Sequence, residues 1–134
     1  MNLNAIALAG RILLAALFLL SGLGKVFAPQ DTLAYVAQAG LPFPSIALSL
    51  AILVEVGGGA LLALGYKTRL AAIVLAAFAV LTAVMFHADI ADQNQLAHAL
   101  KNLAIAGGLL QLAAFGSGAF GLDARQTLAT VPAR

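Results

Sequence analysis

Four long apolar stretches, separated by polar breaks, constrain this chain more than any other feature. They cover residues 5–24, 46–65, 69–87 and 101–122, and a helix needs about 20 apolar residues to cross the hydrocarbon core of a membrane. Only 9% of the residues are charged, whereas a soluble domain carries about 25%. A soluble fold of 134 residues cannot bury this much apolar surface. We therefore predict an all-α integral membrane four-helix bundle, a single transmembrane domain over residues 1–134.

The longest break, residues 25–44, separates the first two spans and contains proline and glycine as helix breakers. Within it, Gln30–Ala39 places Leu33 and Val36 on one helical face, with Gly40 at the position that follows a helix end. We predict a short amphipathic helix that lies in the membrane interface. Such a helix would cover only about 15 Å, which is too short to cross.

A cleaved signal peptide is the alternative interpretation of the first apolar stretch. The small-residue site nearest to its end is Val26-Phe27-Ala28, and Pro29 follows it directly. Because that is a poor context for cleavage, we interpret the first stretch as a retained span.

The basic residues of the short loops predict the orientation of the bundle. With four spans, the N-terminus, the middle turn and the C-terminus share one side of the membrane. That side holds Lys67, Arg69, Arg125 and Arg134, and the other side holds Lys25 and Lys101. We expect both termini to be cytoplasmic.

Glu55, near the middle of the second span, is the strongest single indication of a site. An ionised carboxylate costs about 2.5 to 3.5 kcal/mol at that depth, so it should face the bundle interior. We expect its partner to be at least one of Arg11, Lys101, Asn102 and His87. Arg11 lies about 9 Å deep and Glu55 about 15 Å deep at 1.5 Å per residue, so that pair is geometrically feasible. The alternative is that Arg11 extends to the cytoplasmic headgroups.

A second group of polar residues collects at the opposite surface. Lys25 ends the first span, His87 ends the third, and Lys101 with Asn102 opens the fourth. Antiparallel helices bring these ends to one depth, although both lysines could simply anchor helix ends at the interface. Because the start of a helix disfavours a cation, we expect a carboxylate to compensate Lys101. The candidates for a buried polar cluster or ligand site are thus Arg11, Lys25, Glu55, His87, Lys101 and Asn102.

His87 could carry a proton, donate a hydrogen bond to a quinone or ligate a metal. With Asp89, Asp92 and His98, a histidine in the same polar loop, it forms a set without recognisable zinc spacing, so we predict no metal. The chain has no cysteine. Redox work therefore needs a bound cofactor or a partner protein. The scattered basic residues argue against nucleic-acid binding.

The order of these residues resembles the DoxX family of small bacterial inner-membrane proteins along nearly the whole chain. The matching features are Arg11, Phe18, Ser21–Lys25, Gly40–Pro42, Glu55–Gly58, Gly65–Arg69, His87, Lys101–Asn102, Gly107–Leu110 and Leu122–Asp123. The resemblance implies four transmembrane helices in the bacterial cytoplasmic membrane. Some members are membrane subunits of thiosulfate:quinone oxidoreductases, and others are tied to sulfur or oxidative-stress partners. The resemblance does not assign a catalytic role to any single residue of this chain.

Three functions remain open at this point. The first is a redox-linked membrane subunit that binds quinone or a soluble oxidoreductase of sulfur metabolism, with the basic residues suited to an anionic sulfur oxyacid. The second is a non-enzymatic scaffold or assembly factor. The third is a small-solute or proton-coupled carrier with Glu55 as the titrating group, for which a homo-oligomer would supply the helices that four spans lack. A polar cluster that touches an open cavity favours binding, and a sealed cluster favours the scaffold.

Overall fold

The computed structural model of the chain describes residues 2–129, with side chains described as far as residue 126. Arg134, used above for the orientation, lies outside the described residues. This part of the chain contains helices and no strand, which confirms the all-α prediction. Its helices are α1 (Leu3–Phe27), α2 (Pro29–Gln38), α3 (Pro44–Leu64), α4 (Thr68–Phe86), α5 (Gln93–Phe115) and α6 (Leu122–Ala129).

Among the described residues, α1, α3 and α4 are long and apolar enough to cross a membrane. They correspond to the first three predicted spans. With 23 residues, α5 also has the length to cross, but polar side chains occupy its first turns. A fourth crossing by α5 therefore stays a prediction.

The bounds of α5 differ from the predicted span 101–122. The helix begins at Gln93 because the side chain of Asp92 accepts a hydrogen bond from the Gln95 N–H (2.9 Å) and caps the polar first turn. It ends before Gly116, whose φ of +82° takes the chain out of the helix. The placement of His98 in a loop was therefore wrong. Lys101 lies inside α5, where the argument from the start of a helix does not apply.

The four long helices, α1, α3, α4 and α5, form a closed bundle in which each packs against two others. α1 packs against α3 and α5, and α4 packs against the same two helices from the other side. The core between them contains Phe18, Leu62, Leu75 and Leu109, while α4 contributes mostly buried alanines. The C-terminal half of α3 contacts both α1 and α4, whereas its N-terminal half packs against α1 and α2.

The predicted short helix after the first span is confirmed as α2. It starts with Pro29 and ends with Gly40 at φ +75°, where the Gly40 N–H donates to the carbonyl of Ala37 (3.0 Å). Val36 is buried, and the ring of Tyr35 stacks on Phe86 of α4 with centroids 5.1 Å apart. Through this ring contact, α2 packs against the C-terminal end of α4. Its position in the plane of the interface stays a prediction.

Candidate functional site

Lys25 and Glu55 form an ion pair inside the bundle. The ammonium of Lys25, near the end of α1, lies 2.8 Å from Oε2 and 3.1 Å from Oε1 of Glu55. The Glu55 residue is only 5% exposed, whereas the Lys25 side chain is 21% exposed. The partner of Glu55 was predicted among Arg11, Lys101, Asn102 and His87, and that list was wrong. Lys25 lies nearer because the middle of α3, which contains Glu55, packs against α1.

Ser21 completes this cluster. Its hydroxyl donates to Glu55 Oε1 at 3.0 Å and accepts from the Lys25 ammonium at 2.9 Å. Ser21 and Lys25 share one face of α1 because they are four residues apart. We refer to Ser21, Lys25 and Glu55 as the polar triad. Ser21 carried no predicted role, although its spacing from Lys25 was visible in the sequence.

Glu55 lies in an irregular part of α3. Residues Leu53–Gly57 form a π-helical turn, a rare conformation that is frequent at functional sites. Gly22 of α1 faces this turn, and a Cβ at that position would lie 2.7 Å from the Val56 side chain and 3.0 Å from the Glu55 Cβ. The missing side chain of Gly22 therefore lets the two helices approach closely at Glu55. Gly22 also carried no predicted role.

The polar triad lines a cavity of about 640 Å³. Its walls come from all four long helices and from α2, and most of the side chains are apolar or aromatic. Polar groups are few. They belong to Ser21, Lys25, Thr32, Tyr35, Glu55, Thr82, His87 and Asn102.

Asn102 and His87 bring polar atoms to other walls of the same cavity. The Asn102 amide donates from Nδ2 to Thr82 Oγ1 at 3.2 Å, and the Thr82 hydroxyl donates to the carbonyl of Ala79 at 2.9 Å. His87 Nδ1 lies 2.8 Å from Gln95 Oε1, an acceptor. The structure therefore brings four of the six candidate residues to one cavity: Lys25, Glu55, His87 and Asn102.

Arg11 lies elsewhere. It is 1% exposed, and its Nη1 donates to the carbonyl of Ser117 at 2.6 Å while Nη2 reaches the carbonyl of Phe120 at 3.4 Å. Both predictions for Arg11, a pair with Glu55 and an extension to the headgroups, were therefore wrong. Carbonyls of the loop that follows α5 thus accept from both Nη atoms of the guanidinium, while its buried Nε has no hydrogen-bond partner among the described residues.

Asp123 completes the cluster around Arg11. Its two carboxylate oxygens accept hydrogen bonds from the backbone N–H groups of Lys67 (2.8 Å) and Thr68 (2.9 Å), at the start of α4. Burial alone would raise the pKa of the Asp123 carboxyl. The hydrogen bonds from Thr68 and Lys67, with the charge of Arg11, outweigh that effect and hold the pKa below its ordinary value. Asp123 thus acts as a cap for α4 supplied from a distant part of the chain.

Lys101 is the other candidate outside the cavity. It is exposed on α5, and its ammonium lies 3.1 Å from His98 Nδ1, one helical turn away. The ring of His98 in turn stacks on His87, with centroids 4.9 Å apart. A histidine nitrogen, and not the predicted carboxylate, contacts Lys101.

Comparisons with known proteins identify the family of the chain. The DoxX family model matches residues 6–88. Inner membrane protein YqjF of Escherichia coli (strain K12) is 40% identical over 116 residues, which cover 87% of this chain and 88% of that protein. Inner membrane protein YphA of the same organism is 34% identical over 124 residues, covering 88% of each. No solved structure matches significantly. The chain is thus an integral membrane protein that belongs to the DoxX family.

Proposed function

We propose that this protein is an inner-membrane subunit of a redox system and that it binds a quinone in the cavity beside the polar triad. Two relatives are named inner membrane proteins, which supports the location. The observation that carries the proposal is the cavity itself: about 640 Å³, largely apolar, and open to a small number of polar groups. Ligand sites of this kind usually have volumes of about 300 to 1,000 Å³ and few convergent polar atoms.

The charge of the cavity favours a neutral ligand. Glu55 neutralises Lys25 at 2.8 Å, while Arg11 and Lys101 lie outside the cavity. An anionic sulfur oxyacid would therefore face a carboxylate without an unpaired cation beside it. A quinone ring is neutral, and its apolar tail suits the leucine, valine and phenylalanine side chains of the walls.

The absence of cysteine in the sequence makes a partner part of this proposal. Without thiols, the chain cannot carry electrons through dithiols or iron–sulfur clusters of its own. A soluble oxidoreductase that docks on the membrane would deliver or accept electrons, and this subunit would hold the quinone.

A scaffold is the second candidate, and a specific observation favours it. The Lys25 ammonium already has acceptors in Ser21 and Glu55, so the polar triad fixes α1 against α3 without any ligand. The contact of the triad with a cavity nevertheless favours binding, because a device that only sets helix register needs no open space beside it.

The proposal is tested by native mass spectrometry of the detergent-purified protein, with organic extraction to identify quinone. Ala51 lines the cavity, so Ala51→Phe should fill part of it and lower the bound quinone at least fivefold. The matched control is Ala77→Phe on α4, where the side chain is exposed outside the cavity. Wild type without quinone, or equal loss in both variants, would favour the scaffold instead.

A further inference from the structure

A second cavity lies at the Arg11 end of the bundle, where the start of α4 meets the loop that follows α5. Its volume is about 710 Å³, and its walls come from residues 67–70, 115–118, 123 and 124. Two of these residues, Lys67 and Arg69, are exposed cations. We refer to this cavity as the basic groove. Nothing in the preceding sections assigns it a ligand.

The local backbone brings both cations to the basic groove. Lys67 has a φ of +46°, a left-handed conformation that residues other than glycine seldom adopt, and its N–H donates to Asp123 at 2.8 Å. The side chain of Arg69 lies beside the turn at Gly116, where an added Cβ would be 3.7 Å from Arg69 Nε. The cationic side chains of two nearby residues therefore line one groove.

Neither cation of the groove has an ion-pair partner among the described residues. The ammonium of Lys67 lies 5.8 Å from the centre of the Tyr66 ring, a contact that leaves its charge in place. The guanidinium of Arg69 makes no hydrogen bond to another described residue. Two cations that line the same groove repel each other, so an anion between them is favourable.

Asp123 is the carboxylate in the wall of the groove, and its charge opposes a bound anion. Its oxygens already accept hydrogen bonds from the backbone N–H groups of Lys67 and Thr68, and the positive charge of Arg11 acts on it. Because Arg11 offsets Asp123, the two exposed cations give the groove a net positive charge. Since these two N–H groups are engaged, the side chains of Lys67 and Arg69 must carry the recognition of an anion.

Exposed apolar side chains adjoin the two cations. Phe115, the last residue of α5, is 79% exposed, and Leu70, in the first turn of α4, is 59% exposed. Both line the basic groove, and both belong to the apolar stretches of their helices. The groove thus presents positive charge and apolar surface together, at the edge of the bundle. This combination fits an amphiphile that has an anionic head.

We infer that the basic groove binds an anionic phospholipid, with its phosphate between Lys67 and Arg69 and its acyl chains along Leu70 and Phe115. The planar guanidinium fork matches phosphate oxygens. Basic pockets between helices on the cytoplasmic side of a membrane suit lipid headgroups, and the basic loop residues predict that side for this end. The inference is independent of the quinone proposal, because the two cavities share no lining residue in the described part of the chain.

The test compares phosphatidylglycerol with phosphatidylcholine of the same acyl chains. Each lipid is titrated into the detergent-purified protein, and native mass spectrometry measures the bound fraction. We expect wild type to bind phosphatidylglycerol about tenfold or more tightly, since each basic residue near a headgroup contributes about fivefold. The double change Lys67→Gln with Arg69→Gln should lower that ratio to about threefold or less.

The matched control is the double change Lys101→Gln with Arg125→Gln. Both residues are exposed and lie outside the basic groove, so the control removes the same charge and should leave the ratio unchanged. The affinity for phosphatidylcholine should be the same in all three proteins, which verifies that the groove variant is folded. Inorganic phosphate at a concentration equal to that of the lipid should not displace phosphatidylglycerol, because it lacks the acyl chains.

Three results would overturn the inference. A wild-type ratio near one would show that the groove does not select an anionic head, whatever the variants do. An equal fall of the ratio in both double variants would assign the preference to net charge and not to the groove. Displacement of the lipid by inorganic phosphate would make the groove a phosphate site in which the acyl chains have no role.

Discussion

Two buried clusters of charge lie toward opposite ends of the bundle and hold their charges in different ways. At one end, Arg11 donates to carbonyls of the loop at residues 116–121, and Asp123 accepts from the backbone that starts α4. At the other end, Lys25 and Glu55 pair through their side chains beside a cavity. In the first cluster, the charged side chains hold distant parts of the chain together through main-chain hydrogen bonds. The other cluster lies in the wall of a cavity.

This difference teaches that the burial of a charge does not by itself locate a functional site. Arg11 is more deeply buried than Glu55, yet its partners are main-chain atoms that any bound ligand would have to displace. What identifies the candidate site is the combination of a buried charge, a side-chain partner and a cavity.

The strongest test of the comparison asks whether the two ends lie on opposite faces of the membrane. Cysteines introduced at Gln38 and Asn94 should react with an impermeant maleimide in whole cells, and one at Ala119 should react only after permeabilisation. All three residues are exposed, and the sequence supplies no cysteine of its own. Since Asn94 lies in the first turn of α5 and Ala119 follows its last turn, labelling of both from the same side would contradict a fourth crossing. Labelling of Ala119 alone would invert the orientation.

The largest loss of stability should follow a change at Arg11. Arg11→Met leaves the carbonyls of Ser117 and Phe120 without their donor and removes the charge beside Asp123. We expect a loss of about 3–5 kcal/mol, the range for breaking a buried ionic group, measured by thermal unfolding in detergent. Arg69→Met, at an exposed position, is the control. A small effect at Arg11 would remove the structural role assigned to this cluster.

Glu55→Leu should cost less, about 2–3 kcal/mol, because Lys25 is partly exposed and can regain water. Glu55→Gln should keep the fold and weaken quinone binding, since the amide preserves shape but not charge. The double change Lys25→Met with Glu55→Leu should recover most of the stability, because neither charge is left alone. If the double variant were as unstable as the sum of the single changes, the ion pair would not be the coupling that holds this end together.

The sequence predicted the helices better than the site, for a physical reason. Apolar stretches fix where the chain crosses the membrane, and Gly40 marks the end of α2, because both signals are local. The end of α5 was misplaced because apolar residues continue after Gly116, which leaves the helix through its backbone angle. Hydropathy does not register such an angle.

The candidate site was predicted in part. The free-energy cost of burying an ionised carboxylate identified Glu55 from the sequence. The same argument could not identify Lys25 as its partner, because pairing depends on which helices pack together. The choice of Lys25 over Arg11 depends on the packing of α1 against the middle of α3 and on the hydrogen bond from Arg11 to the loop that follows α5. Neither contact has a local signal in the sequence.

Gly22 tests whether close helix approach positions the polar triad. Gly22→Ala would place a Cβ 3.2 Å from the Val56 backbone nitrogen and closer still to two side-chain atoms, so α1 and α3 must separate. We expect a loss of about 1–2 kcal/mol and weaker quinone binding through a longer Lys25–Glu55 distance. Gly24→Ala is the matched control, with nothing within 4 Å of its added Cβ, and alanine there should stabilise α1 slightly. If Gly22→Ala stabilised the protein as Gly24→Ala does, helix propensity alone would account for both changes, and close approach at Gly22 would not position the polar triad.

Asp123 should give the smallest effect, and one that depends on pH. Its folded-state pKa lies below the ordinary value, so the unfolded chain binds the proton more readily. The stability that it contributes is therefore fully present above the unfolded pKa, about 3.9, and is lost as the pH falls through the lower folded value. Asp123→Asn keeps one acceptor oxygen of the cap and should cost about 1 kcal/mol at neutral pH.

The measurement for Asp123 is the difference in melting temperature between wild type and Asp123→Asn, followed in detergent from neutral pH downward. The difference should be constant until about pH 4 and should shrink below it, because the protonated carboxyl of wild type can no longer accept from both Lys67 and Thr68. Asp31→Asn, an exposed carboxyl on α2, is the control and should change the melting temperature little. A difference that grew on acidification would reverse the sign of the linkage. The cap at the start of α4 would then be held by Arg11 and the loop, without a contribution from the carboxylate.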